Sequence, residues 1–101
     1  MIEYVAERFR VLGDATRLTI LRTLIDGGPL SVGELVEHTG SSQPNVSKHL
    51  KLLADAGIVS RRAAGTSAYY AVADPSLVPL CELVCDRLRS QVAAESRSFS
   101  T

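Results

Sequence analysis

Residues 42–50 of this chain read SQPNVSKHL and carry its clearest helix signals. Ser42 is a favourable N-cap, because its hydroxyl accepts a hydrogen bond from an amide of the first helical turn. Pro44 fits that turn, where its missing amide costs nothing. Apolar residues then follow at i, i+4 and i+7 and share one face: Val46, Leu50 and Leu53. The pattern predicts an amphipathic helix from Gln43 to Ala54.

The opposite face of this helix is polar and basic. At about 100° per residue, Pro44, Ser47, Lys48 and Lys51 point away from Val46, while Gln43 lies nearer the edge. A helix that enters the DNA major groove contacts base edges with its N-terminal residues. We therefore assign four residues to the groove: Gln43, Pro44, Ser47 and Lys48. We assign three to phosphates: Lys51, Arg61 and Arg62.

Three helices are predicted before this one. Residues 2–12 carry an apolar i, i+3, i+4, i+7 stripe. Asp14 caps the next helix, and its predicted buried face is Leu18, Leu21, Leu24 and Ile25. Ser31 and Glu34 form a capping box that begins a short helix ending at His38. The turn at residues 39–41 then joins two helices into a helix-turn-helix candidate.

The pattern changes after Gly57. Residues 58–62 and 68–72 are short β-prone runs, and residues 63–67 are predicted to join them as a loop. A last helix is predicted to start at Asp74-Pro75, with an apolar stripe suited to pairing with a second copy. The fold expected is mainly α with a small β-hairpin, a winged helix-turn-helix in the order α-α-α-α-β-β-α, forming a homodimer through its terminal helices. Residues 1–95 form this domain, and residues 96–101 a disordered tail.

Composition fits a single globular domain of 101 residues with a net charge of zero. The charge is unevenly distributed. Four basic residues against Asp55 give residues 41–72 a net of +3, whereas residues 1–40 carry −2 and residues 73–101 carry −1. A localised basic window is what phosphate binding requires, although an ordinary solvated surface has the same composition. Without a membrane span or signal peptide, we expect a cytoplasmic protein with reduced cysteines and no membrane partner.

Six segments in order resemble the ArsR/SmtB family of winged-helix repressors. They are LGDATRLTIL (12–21), SVGEL (31–35), SQPNVSKHL (42–50), AGIV (56–59) and the later pairs Tyr69-Tyr70 and Asp74-Pro75. The resemblance runs from about Phe9 to Arg89. It implies a symmetric dimer that binds an operator and releases it when an inducer binds. The DNA-contacting positions of the family fall on Gln43, Pro44, Ser47 and Lys48, where Pro44 replaces the usual Ser or Thr.

The inducer sites known in that family are mostly missing here. Ser31 and Gly33 stand where a metalloid-binding Cys-x-Cys pair is expected. Asp74 matches the first ligand of the zinc site, but the later ligand positions hold Ser76, Arg87 and Ser90. Since neither Arg nor Ser replaces a neutral imidazole, zinc sensing by that route is not expected.

Cys81 and Cys85 are the remaining candidate sensor thiols. Their i, i+4 spacing places both sulfur atoms on one face of the last helix. Two copies related by a two-fold axis would bring four thiols together, able to bind a thiophilic metal or metalloid ion such as arsenite, cadmium or mercury. The thiols could instead be oxidised by reactive sulfur or another oxidant, or simply pack as small apolar groups.

The two histidines are not expected to bind metal. His38 ends its helix, where it interacts with the helix dipole. His49 points half toward the core, so packing or capping is favoured over base contact. Neither histidine has a Cys or His at metal-ligand spacing.

The function favoured by these patterns is a repressor that binds a palindromic operator as a homodimer and is released by an inducer acting at Cys81 and Cys85. Two alternatives stay open: a winged-helix protein-interaction module, and a regulator without a thiol-based inducer. An enzyme is not expected, because the chain has no phosphate-binding Gly-rich loop and no Ser/His/Asp set.

Overall fold

The computed structural model describes residues 1–99. In chain order its elements are α1 (Ile2–Leu12), α2 (Ala15–Gly27), β1 (Leu30–Ser31), α3 (Val32–Thr39), α4 (Gln43–Asp55), β2 (Val59–Ala64), β3 (Ser67–Val72) and α5 (Leu77–Phe99). The expected mainly helical fold with a β-hairpin is confirmed. None of the helices in this described part is long and apolar enough to cross a membrane.

Helix α4 begins where the sequence predicts. The Ser42 hydroxyl accepts from the Asn45 amide at 3.3 Å, and Pro44 lies in the first turn. The apolar face of α4 is completely buried: Val46, Leu50 and Leu53 expose nothing to solvent. The capping box of α3 is also present, with the Ser31 hydroxyl accepting from the Glu34 amide at 3.2 Å. Local hydrogen bonding therefore fixes both helices of the helix-turn-helix.

The sheet has three antiparallel strands in the order β1-β3-β2, one more than predicted. Strand β1 was missed because it consists of only two residues, Leu30 and Ser31, which pair with Tyr70 and Tyr69. The predicted five-residue hairpin loop is also wrong. The strands continue to Ala64 and from Ser67, so the turn holds two residues, and Gly65 takes the positive φ of 61° that a tight II′ turn requires.

The buried face of α2 differs from the prediction. Leu18 was expected inside but is 41% exposed, whereas Ile20 is fully buried. The buried stripe runs through Arg17, Ile20, Leu21 and Leu24, because packing of α2 against α3, α4 and β3 rotates it toward these residues. Leu18 lies beside that stripe, in a groove shared with α5.

The terminal helices carry much of the exposed apolar surface. On α1 the exposed residues are Ile2, Tyr4, Val5 and Phe9; on α5 they are Leu83, Val84, Leu88 and Val92. Both helices reach the core near their inner ends, through Val11 and Leu12 on α1 and Leu77 on α5, and Leu80 and Cys81 pack against it. Helix α5 starts at Leu77, three residues after the predicted start, and it continues through Phe99. The predicted tail at residues 96–101 is thus helical in its first four residues; residues 100 and 101 lie outside the described part.

Candidate nucleic-acid interface and thiol groove

The outer face of α4 carries every residue that the sequence assigned to the DNA groove. Gln43, Pro44, Ser47 and Lys48 are all exposed, and Lys51 lies on the same side. Behind them, Val46 and Leu50 are fully buried. The helix therefore presents short polar and cationic groups outward from a rigid apolar support, the arrangement that a groove-reading helix needs.

The two lysines on this face differ in their surroundings. Lys51 Nζ lies 3.2 Å from Asp55 Oδ2, and both side chains are largely exposed. An exposed pair of this kind contributes about 0.2–1 kcal/mol, so it breaks easily when a phosphate competes. Lys48 makes no ion pair within residues 1–99. The carboxylate of Asp55 still lowers the positive potential near Lys51, as their i, i+4 spacing on one helix would indicate.

Arg61 and Arg62 lie on opposite faces of the β-hairpin. Arg61 pairs across the strands with Tyr70, and Arg62 with Tyr69. Because successive side chains of a strand alternate between faces, Arg61 points to the side of β1 and the start of α3, while Arg62 shares a face with Pro29. Both arginines are exposed, and they project from opposite faces of the hairpin.

The inner side of α4 holds a buried polar contact. Arg17 and His49 are each 8% exposed, and Arg17 Nη1 lies 3.1 Å from His49 Nδ1. The predicted inward, packed position of His49 is confirmed. The role of Arg17 was missed, although one signal was available: Arg17 occupies a position in register with the buried Leu21 and Leu24.

Asp74, the one residue that matches the zinc site of the resembling family, is already engaged. Its Oδ2 accepts from Arg8 Nη1 at 2.7 Å, and its Oδ1 accepts from the Ser76 hydroxyl and amide at 2.7 and 2.9 Å. The Ser76 hydrogen bonds, with a smaller effect of the Arg8 charge, lower the pKa of Asp74. With both oxygens occupied, Asp74 links α1 to the start of α5 and does not fit as a metal ligand.

Cys81 and Cys85 line a groove of about 390 Å³ between α5 and α2. Leu18, Arg22 and Ile25 form part of its other wall. Cys81 is half-buried and Cys85 is exposed, and neither is in a disulfide. Burial raises the pKa of the Cys81 thiol, the neighbouring Cys85 raises it further, and the charge of Arg22 partly opposes both. Both thiols therefore line a groove whose opposite wall is the chain's own α2.

Within residues 1–99, no three His, Cys, Asp or Glu side chains lie close enough together to hold a metal ion. Among the described residues, Cys81 and Cys85 are therefore not part of a larger cluster of such side chains. His38 is exposed in the last turn of α3, as predicted, and lines a different surface depression.

A helix-turn-helix with an outward cationic helix, followed directly by a β-hairpin, defines a winged helix-turn-helix transcriptional regulator. Residues 14–61 match the family model described as bacterial regulatory protein, arsR family. The chain is 38% identical over 82 residues to the uncharacterized HTH-type transcriptional regulator MJ1325 of Methanocaldococcus jannaschii, covering 81% of this chain and 92% of that protein. It belongs to the arsR family of regulators, and its relatives there are regulators of transcription, not enzymes.

A second relative is named as a probable mercury resistance operon repressor of Streptomyces lividans. It is 46% identical over 78 residues, which cover 77% of this chain and 62% of that protein. The present chain thus spans about three fifths of that relative's length.

Solved structures share the whole architecture. The crystal structure of Rv0081 from M. tuberculosis superposes with a TM-score of 0.84 at 29% identity, covering 93% of this chain and 94% of that one. A solution structure of a homodimeric winged helix-turn-helix DNA-binding domain, Mb0332 from Mycobacterium bovis, gives a TM-score of 0.80 at 28% identity, covering 90% and 83%. The expected winged helix-turn-helix fold is therefore confirmed.

Proposed function

We propose that this protein is a cytoplasmic repressor that binds a palindromic operator as a homodimer. The observation that carries the proposal is the outward face of α4, where Ser47 and Lys48 stand exposed over the buried Val46 and Leu50. Gln43 and Lys48 offer the hydrogen-bonding groups that recognise adenine and guanine. Lys51, Arg61 and Arg62 supply charge for phosphates.

The homodimer rests on the exposed apolar surface of α1 and α5. Apolar side chains such as Phe9 and Leu88 are exposed to solvent on both terminal helices. Pairing with the same surface on a second copy would remove this apolar area from water, which is favourable. A two-fold axis then repeats α4, and two half-sites one helical turn of DNA apart form a palindrome. The homodimeric Mycobacterium bovis domain supports this arrangement by its similar fold.

The inducer we propose is a thiophilic ion held by Cys81 and Cys85. Two thiolates with no third ligand in the described part of the chain match a soft ion that accepts two-coordinate binding, such as mercury(II). Arsenite and cadmium need more thiolates, which a second copy would have to provide. The facing wall of α2 favours a site within one chain over a four-thiol cluster. The name of the Streptomyces relative agrees with a mercury response.

DNA binding is tested by selecting duplexes from a random pool with the reduced protein and measuring affinity for the enriched sequence. We expect a palindrome, and we expect Lys48→Ala to weaken binding to it and to relax base preference at one position in each half-site. Recovery of no preferred duplex at low salt, together with a stable protein partner, would instead support the interaction-module alternative.

The inducer is tested by titrating the protein–operator complex with mercuric chloride, cadmium chloride, sodium arsenite and polysulfide. We expect mercury(II) to release the DNA at about one ion per chain. The chain has only two cysteines, so the double Cys81→Ser, Cys85→Ser variant is a complete control. Equal release from the wild type and the thiol-free variant would eliminate the thiol site. Release by polysulfide alone would identify an oxidative inducer.

A further inference from the structure

One buried cation, Arg17, belongs neither to the outward face of α4 nor to the thiol groove. Its guanidinium donates to two main-chain carbonyls at the end of α1, to Val11 from Nε at 2.6 Å and to Arg10 from Nη2 at 3.4 Å. Its Nη1 contacts His49 Nδ1 at 3.1 Å. Arg17 thereby ties the end of one terminal helix to the inner side of the DNA-facing helix.

The contact with His49 sets the protonation state of the imidazole. Arg has donors only and stays charged at all relevant pH values. His49 Nδ1 must therefore be the acceptor, which requires a neutral ring with its proton on Nε2. A protonated ring would turn this nitrogen into a second donor and place two cations 3.1 Å apart in a buried site. The link holds only while His49 is neutral.

Within the described residues, no other charged side chain makes a hydrogen bond or ion pair with His49. Asp14, at the start of α2, accepts from the Arg17 amide at 3.0 Å. That hydrogen bond is the main cause of its lowered pKa, and the charge of Arg17 contributes less. On α1, the guanidinium of Arg10 is occupied by Glu7. The remaining charged or titratable side chains of the elements that pack on α4, and of α4 itself, are exposed: Arg22, Asp26, Glu34, Glu37, His38, Lys48, Lys51, Asp55, Arg61 and Arg62.

We propose that Arg17 is a positioning residue for operator binding: through neutral His49 it fixes the position of α4 relative to the end of α1, and acid that charges His49 breaks this link and lets α4 shift on its apolar support. The inference rests on the proposed function. It predicts that operator affinity falls on acidification. If a protonated histidine only added positive charge to the protein, operator affinity would instead rise on acidification, because extra cations strengthen phosphate binding.

The test compares operator affinity at about pH 7.5 and about pH 4.5, because charging an imidazole beside a cation takes stronger acid than charging a free one. His49→Gln retains a carbonyl acceptor for Arg17 but does not titrate. His38→Gln is the matched control, since the chain has only two histidines. We expect wild type and His38→Gln to lose about tenfold in affinity at the lower pH, and His49→Gln to lose little. Circular dichroism and sedimentation at both pH values verify that each protein is folded and dimeric.

Two results would overturn the proposal: unchanged or tighter binding by wild type at the lower pH, or an acid loss in His49→Gln as large as in wild type. A separate measurement needs no DNA. In the ¹⁵N spectrum of the wild-type protein at neutral pH, His49 is expected as the Nε2–H tautomer, and the Nδ1–H tautomer would refute the link to Arg17. If no duplex binds at neutral pH, the proposed function fails while this spectrum still decides the Arg17 contact.

Discussion

Replacing Lys51 by alanine tests the phosphate role of α4 quantitatively. In a dimer the substitution removes two cations. Each phosphate contact contributes about 0.9 to the slope of log affinity against log salt, so the slope is expected to become shallower by about 1.8. Over a fourfold change in salt concentration, the ratio of wild-type affinity to Lys51→Ala affinity is expected to change about twelvefold. The variant therefore binds much more weakly than wild type at low salt and approaches it at high salt.

The ion pair with Asp55 does not prevent this effect. Each of the two pairs in a dimer is largely exposed, with Nζ and Oδ2 at 3.2 Å, and contributes about 0.2–1 kcal/mol, so each lysine can exchange its carboxylate for a phosphate. Asp55→Asn should accordingly strengthen operator binding.

Fluorescence anisotropy over a salt series measures these slopes. Arg22→Ala is the matched control, because Arg22 and Asp26 form an exposed i, i+4 pair, also at 3.2 Å, on α2. A Lys51→Ala slope equal to that of wild type, or an equal change in the Arg22 variant, would refute the assignment of this face to DNA.

Three further outcomes are expected. Leu88→Glu should weaken dimerisation by at least tenfold in sedimentation, because each copy loses apolar burial of about 1–2 kcal/mol. Glu82→Gln on the same helix should leave dimerisation unchanged. An unaffected dimer in the Leu88→Glu variant would exclude α5 from the interface. Asp74 has a pKa below its ordinary 3.8, so its ionised form stabilises the fold above about pH 4, and this contribution is lost as the pH falls through the lowered value. Urea unfolding should show Asp74→Asn less stable than wild type at neutral pH, with a gap that narrows in acid; a constant gap would contradict the ionic contribution. Iodoacetamide at neutral pH should modify Cys85 faster than Cys81, whose thiol is half-buried and has a raised pKa; mass spectrometry showing the reverse order would contradict the groove geometry.

Local sequence signals are sufficient to predict the helices and the outward face of α4. Caps such as Ser31 and Ser42 and the spacing of Val46 and Leu50 act over one or two turns, so local hydrogen bonding and side-chain periodicity are enough to place them. The arsR-type order of segments rests on the same local signals. The i, i+4 spacing of Cys81 and Cys85 likewise placed both thiols on one face before any packing was known.

Tertiary packing decided the features that depend on residues far apart in the chain. Arg17 and His49 are 32 positions apart, and Arg8 and Asp74 are 66 apart. Strand β1 exists only because β3 offers it hydrogen bonds. Packing of α2 against its neighbours buries Ile20 and leaves Leu18 exposed. Packing of α5 beside α2 places both thiols in the groove between these helices. Such contacts carry no local sequence period, since each depends on the burial and geometry of a distant partner.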